Sequence, residues 1–158
     1  MPKMFDASEI LEFAVRIEEN GEAFYRSMAQ KCKEEKIKNL FNYLADEEIK
    51  HRKTFTDMLS KIEQYEPPES FPGEYFQYLR AYADEHVFTR AKTGTLMAKK
   101  MKSAKEAVQF ALGAELDSIL YYLEAKNLVP ESQKATINIV VDEERRHYLK
   151  LLEVRKGL

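Results

Sequence analysis

The sequence predicts an all-α protein, an antiparallel four-helix bundle in which a long crossover, containing a short extra helix, joins the second and third long helices. Three observations lead to this expectation. Apolar residues recur at three- and four-residue spacing through four helix-length blocks. Glycines and prolines punctuate the chain between those blocks, and β-branched runs that would signal strands are few. Finally, the joints after the first and third blocks are short, whereas the middle connection takes roughly 40 residues.

The first block opens near Asp6, where Asp6 and Glu9 fit a capping box, and runs to about Lys31. Its stripe is Ile10, Leu11, Ala14, Ile17, Gly21, Phe24, Tyr25 and Met28. The second runs from about Glu35 to Gln64 on a stripe of Ile37, Leu40, Phe41, Leu44, Phe55, Met58, Leu59 and Ile62. The segment from Tyr65 to Gly73 carries Pro67, Pro68 and Pro72 and cannot continue a helix. Glu74 to about Thr89 reads as a short, aromatic-rich helix, and Gly94 to Ser103 as a less regular stretch. Ser103 and Glu106 form another capping box at the start of the third block, which runs to about Lys126. Pro130 suits the first turn of the fourth, which ends near Arg155. Short joints make antiparallel neighbours, and the long middle connection must travel the length of the bundle. This is the ferritin-like connectivity, here expected as a single domain over residues 1–158.

Composition narrows the function. The chain of 158 residues is 44% hydrophobic and 33% charged, enough apolar material for one core and too much charge for a chain inside lipid. Lys and Arg number 25 against 27 Asp and Glu, with the signs interspersed. That balance argues against nucleic acid and anionic membrane surfaces as partners. No apolar run approaches a membrane span and the N-terminus has no signal-peptide core, so a cytoplasmic protein is expected. A lone cysteine, Cys32, excludes an intrachain disulfide and any Cys-x-x-Cys metal site.

An internal repeat carries the chemistry. Asp46-Glu47-Glu48-Ile49-Lys50-His51 aligns with Asp142-Glu143-Glu144-Arg145-Arg146-His147, and Ala14, Glu18 and Tyr25 align with Ala111, Glu115 and Tyr122, at an offset of 96 to 97 residues. Phe41 and Leu44 fall opposite Ile137 and Val140 in the same register. One Glu-x-x-His is weak by itself; here two of the three histidines carry it inside matching hexapeptides. Glu and His three apart project from one helix face. Glu48 and His51 share the stripe of Phe41, Leu44 and Phe55, and Glu144 and His147 that of Ile137, Val140 and Leu151. Glu18 follows Leu11 and Ala14 at core spacing, as Glu115 follows Val108 and Ala111.

Four glutamates and two histidines are thereby predicted to point inward. Burying four bare carboxylates costs several kcal/mol each, and their mutual repulsion adds to it. No Lys or Arg occupies a nearby core-stripe position. Two divalent cations would balance the four charges, and neutral imidazoles would complete the ligand set. Tyr25 and Tyr122, two turns beyond Glu18 and Glu115, are candidate hydrogen-bond donors to metal-bound carboxylates, with ordinary core packing as the alternative. For Asp46, Glu47, Asp142 and Glu143, support of the opposite histidine and plain surface exposure stand side by side. His86 reads as a surface histidine, and the aromatic residues Tyr75, Phe76 and Tyr78 as packing, against a second subunit among other options.

A glutamate from each of two helices with Glu-x-x-His from each of two others is the di-iron carboxylate pattern of ferritin-like bundles. Within that group the chain resembles the rubrerythrin family over nearly its whole length. The residues carrying the resemblance are Glu18-x2-Gly21-x3-Tyr25-x3-Ala29, Glu48-x2-His51, Glu115-x2-Ser118-x3-Tyr122 and Glu144-x2-His147. The resemblance implies two iron ions, with manganese or zinc also accepted by such ligands. It implies Glu48 and Glu144 as bridges, Glu18 and Glu115 as terminal ligands, and one histidine per metal. There are two departures. No rubredoxin-type Cys-x-x-Cys pair follows the bundle, and Ser118 stands where the family offers a further carboxylate, linked there to iron movement during peroxide reduction.

The expected function is a non-haem di-iron oxidoreductase that reduces peroxide or dioxygen. It would draw electrons from an external donor such as a rubredoxin and work as a homodimer. Ferritin-type iron oxidation and sequestration, and a non-enzymatic metal-binding bundle, are the alternatives.

Overall fold

The computed structural model describes residues 7–62, 77–82 and 93–158. The long helices are α1 (Ala7–Lys31) and α2 (Glu35–Lys61), then, after a short α3 (Gly94–Lys100), α4 (Ala104–Ala125) and α5 (Glu131–Arg155). A 3-10 turn, Lys126–Leu128, links α4 to α5, and residues 77–82 are helical. No strand occurs among the described residues, and no helix among them is long and apolar enough to cross a membrane. The expected cap at Asp6, the proline-rich stretch 65–73, most of the aromatic helix expected over 74–89, and His86 lie outside the described residues.

Among the described residues the buried apolar side chains fall into two clusters, and their order along each helix fixes its direction. α1 runs from Ile10, Leu11, Ala14 and Ile17 in one cluster to Phe24, Tyr25 and Met28 in the other. α2 returns from Phe41 and Leu44 to Phe55 and Met58. α4 goes the same way as α2, from Val108 and Leu112 to Ile119 and Tyr122, and α5 reverses again, from Ile137 and Val140 to Leu151. α2 therefore ends at one end of the bundle and α4 begins at the other, so the chain between them has to cross its full length. Leu79 and Tyr82 pack on the first cluster and Ala98 on the second, marking the two ends of that path. The tightest pairings are α1 with α2 and α4 with α5; α1–α4 and α2–α5 touch more lightly.

The stretch expected to be irregular, Gly94 to Ser103, instead contains helix α3. Its residues carry little amphipathic signal, and tertiary contacts hold it. The Thr93 side chain accepts from the Leu96 N–H at 3.3 Å, and the Gly94 N–H donates to Asn20 Oδ1 at 3.1 Å. A Cβ at Gly94 would lie 1.9 Å from the Asn20 carbonyl oxygen, so only glycine lets α3 come this close to α1. Lys31, at the end of α1, donates to the carbonyls of Ala98 and Met101 at the end of α3, the first of which also accepts the Met101 N–H.

Two helix starts differ slightly from expectation. Ser103 Oγ accepts from the Glu106 N–H at 3.1 Å, but the Glu106 carboxylate returns to the N–H of Lys102 rather than Ser103. Pro130 sits just before the first turn of α5, in extended conformation, one residue earlier than expected.

Candidate metal centre

Between the two apolar clusters every long helix contributes acid. Glu18 of α1 lies beyond Ile17, Glu48 and His51 of α2 lie between Leu44 and Phe55, Glu115 of α4 follows Leu112, and Glu144 and His147 of α5 lie between Val140 and Leu151. All six are buried, none more than 5% exposed, which for four carboxylates demands compensation.

Their donor atoms converge in two overlapping groups. Glu18, Glu48, His51 and Glu144 each offer one atom within a common span of 4.8 Å, and so do Glu48, Glu115, Glu144 and His147. Glu48 and Glu144 belong to both. His51 Nδ1 lies 2.9 Å from Glu144 Oε1 and 3.6 Å from Glu18 Oε2. His147 Nδ1 lies 3.2 Å from Glu144 Oε2 and 4.0 Å from both Glu48 Oε1 and Glu115 Oε1. The two imidazoles stack with centroids 5.5 Å apart. Glu18 Oε2, Glu48 Oε1, Glu144 Oε1 and His51 Nδ1 are buried without a hydrogen-bond partner in the protein and face this common space. Orphaned oxygens and an imidazole nitrogen aimed at one another are the donor set of a cation site.

Charge distributes unevenly over the side chains. Burial, then repulsion from Glu18 and Glu144, raises the Glu48 pKa well above the ordinary carboxylate value. Burial and the neighbouring Glu144 do the same to Glu115. Burial also works against ionised Glu144, but the close polar neighbours Glu115, His147 and His51 prevail and hold it below its usual range. Burial alone would lower the His51 pKa; the carboxylates of Glu144 and Glu18 outweigh it and push it up to about 12. In the metal-free cluster the shifts of Glu48, Glu115 and His51 all favour the protonated form, so cations entering it compete with protons.

The residues around the six act on their outer atoms. Tyr25 OH donates to Glu115 Oε1 at 2.5 Å, and Tyr122 OH donates to Glu18 Oε1, so each tyrosine reaches the glutamate of the other half. Phe41 stacks on Tyr25 and Phe55 leans on Tyr122, fixing both rings. Burial, with Glu115 beside Tyr25 and Glu18 beside Tyr122, raises both phenol pKa values well above the ordinary value, so both stay donors. The open choice among the flanking acids is resolved by type. Glu143 Oε2 lies 2.6 Å from His51 Nε2 and Glu47 Oε2 lies 3.8 Å from His147 Nε2, whereas Asp46 and Asp142 face solvent in ion pairs with Arg26 and Arg145.

Two further residues shape the site: Tyr43, which no signal in the sequence singles out, and Gly21, which the sequence places only in the core stripe and in the family pattern. Tyr43 sets its ring edge-on to His147, with centroids 6.2 Å apart. Gly21 presents bare backbone to Glu48, because a Cβ there would lie 2.6 Å from Glu48 Oε2. Its mid-helix glycine, three residues after Glu18, was the available clue.

Comparison with known proteins follows the same lines. A family model described as Rubrerythrin matches residues 9–155. A solved structure from Thermotoga maritima, described as a ferritin-like diiron-carboxylate protein, is 28% identical with a TM-score of 0.72; the match covers 96% of this chain and 95% of that one. A hypothetical protein from Pyrococcus furiosus is 26% identical with a TM-score of 0.73, covering 98% of this chain and 92% of that one. No curated protein matches the chain.

Proposed function

The chain belongs to the rubrerythrin family, and from that membership we propose that it is a non-haem di-iron oxidoreductase whose ions are held by Glu18, Glu48, His51, Glu115, Glu144 and His147. One observation carries the reading: two four-atom donor groups, each buried, share Glu48 and Glu144. Those two residues would be shared between the two ions, Glu18 and His51 would complete one group, and Glu115 and His147 the other. The carboxylate-rich donor set suits iron or manganese. Iron held there would supply the two electrons that, with two protons, convert hydrogen peroxide to two waters, and an external donor such as a rubredoxin would have to restore them.

The protein's own groups orient and insulate. Glu143 engages His51 Nε2 and leaves Nδ1 facing the ions. Tyr25 and Tyr122 hold one oxygen each of Glu115 and Glu18, fixing the terminal carboxylates. Apolar clusters flank the charged layer on either side. Removing either phenol is expected to loosen a ligand without removing it. Tyr25→Phe and Tyr122→Phe should each weaken metal affinity by about 10–100-fold in a chelator competition titration. Wild-type affinity in both would refute the positioning role.

The function is tested by loading the protein with Fe(II) without oxygen and mixing it with peroxide in a stopped-flow instrument. Oxidation much faster than that of free Fe(II) is expected, with turnover when a reduced rubredoxin is supplied. Oxidation at the free-iron rate would refute it, and bound iron without turnover under any donor would mark a non-enzymatic bundle. Size-exclusion chromatography is expected to give a homodimer; a closed shell of many subunits would shift the reading to iron sequestration.

A further inference from the structure

Three small residues meet where α1 faces α4: Gly21 on α1, and Ala114 and Ser118, about one turn apart, on α4. They leave a cleft that Ile17, Phe24 and Tyr25 also line, and that ends on Glu48 and Glu115. It has room for about one water-sized molecule. Ala114 and Ser118 are half-buried, while Gly21, Glu48 and Glu115 are buried, so the cleft leads from the surface of α4 to the carboxylates. Gly21 contributes only backbone to this wall, since a Cβ would strike Glu48 Oε2.

The cleft breaks the internal two-fold. Gly21 corresponds to Ser118, Glu18 to Glu115, and Ile17 to Ala114, each pair 97 residues apart. A branched, buried Ile17 stands where its counterpart is a half-buried alanine. The approach past Ala114 ends on Glu48, which both donor groups share, and on Glu115, which belongs only with Glu48, Glu144 and His147; Glu18 and His51, found only in the other group, are not among its lining residues.

We propose that this cleft is the port through which the small oxidant enters, that Ala114 and Ser118 limit its width, and that it delivers to the Glu48, Glu115, Glu144 and His147 group rather than to its twin. The inference rests on the di-metal reading above. A slender molecule no broader than water passes end-on; a branched alkyl hydroperoxide does not.

Ala114→Ile places at the mouth the side chain that its counterpart carries. Azide binding to the iron-loaded, oxidised protein is read by absorbance titration, with iron per chain measured on the same samples. Both proteins are expected to hold two irons per chain, with azide affinity about tenfold or more weaker in the variant. Equal azide affinity at equal iron content overturns the port. Should the variant shed iron, the wild type decides. Relative to their rates with free Fe(II), hydrogen peroxide is expected to oxidise the ferrous protein about tenfold or more faster than tert-butyl hydroperoxide. Equal relative rates overturn the port. A wild type that takes up no metal removes the di-metal reading itself, and the port with it.

Discussion

Stripping the metal is expected to lower the melting temperature steeply at pH 8 and only slightly at pH 5. Two ions at about a thousandfold excess over Kd contribute about 4 kcal/mol each. At about 2–4 °C per kcal/mol for a chain of this size, the loss is roughly 15–30 °C. The pH dependence follows from proton counts. Glu48 and Glu115 have raised pKa values, so the folded chain keeps protons that the unfolded chain releases above about pH 4.3. Where the folded state binds more protons, stability falls as pH rises. His51 acts in the same direction: its folded pKa of about 12 makes its stabilisation complete below about pH 6.5, the unfolded value, and lost progressively above it. Glu144 has the opposite sign, with a lowered pKa whose stabilisation is present above the ordinary carboxylate value and lost in acid. The metal-free protein should therefore be most stable in mild acid and weaken through neutrality, while cations replace the protons in the loaded form. Scanning calorimetry with and without chelator from pH 5 to 8 checks this, and a difference that does not grow with pH would contradict it.

Glu48→Ala is expected to abolish binding of both ions, and Glu18→Ala of one. Glu48 belongs to both donor groups, whereas Glu18 belongs to one. Metal analysis should find close to none per chain in the first variant and about half the wild-type content in the second. Equal losses would argue against a shared carboxylate. Glu48→Gln separates binding from folding. It keeps the shape and stays neutral without having to take up a proton where burial, Glu18 and Glu144 all oppose a charge. The metal-free variant should thus melt higher than the metal-free wild type at pH 8, while binding metal far less well.

The bundle and the buried layer were readable because they rest on periodic patterns. A polar residue inside an apolar stripe at helical spacing has only one face to occupy, and the repeat selects Glu18 and Glu115 from helices containing several glutamates. The first two acids of each Asp-Glu-Glu run could not be resolved in this way, because the three consecutive residues span most of a helix circumference and no repeat separates the first two. It takes the neighbouring helix to show that Glu47 and Glu143 turn towards the opposing histidines while Asp46 and Asp142 turn away. Helix α3 was missed because its stability is not local. Gly94 is a poor helix former that serves a backbone contact with Asn20, visible only once α1 is in place.

The division of labour between the two helical hairpins has a mechanical consequence. Each donor group takes three residues from one hairpin and a single glutamate, Glu48 or Glu144, from the other, across seams where helix packing is light. Bound cations would act as rivets between the halves. Parting the hairpins would mean surrendering both ions at once, so the loaded protein should resist proteases and unfold slowly even where its overall free-energy margin is modest.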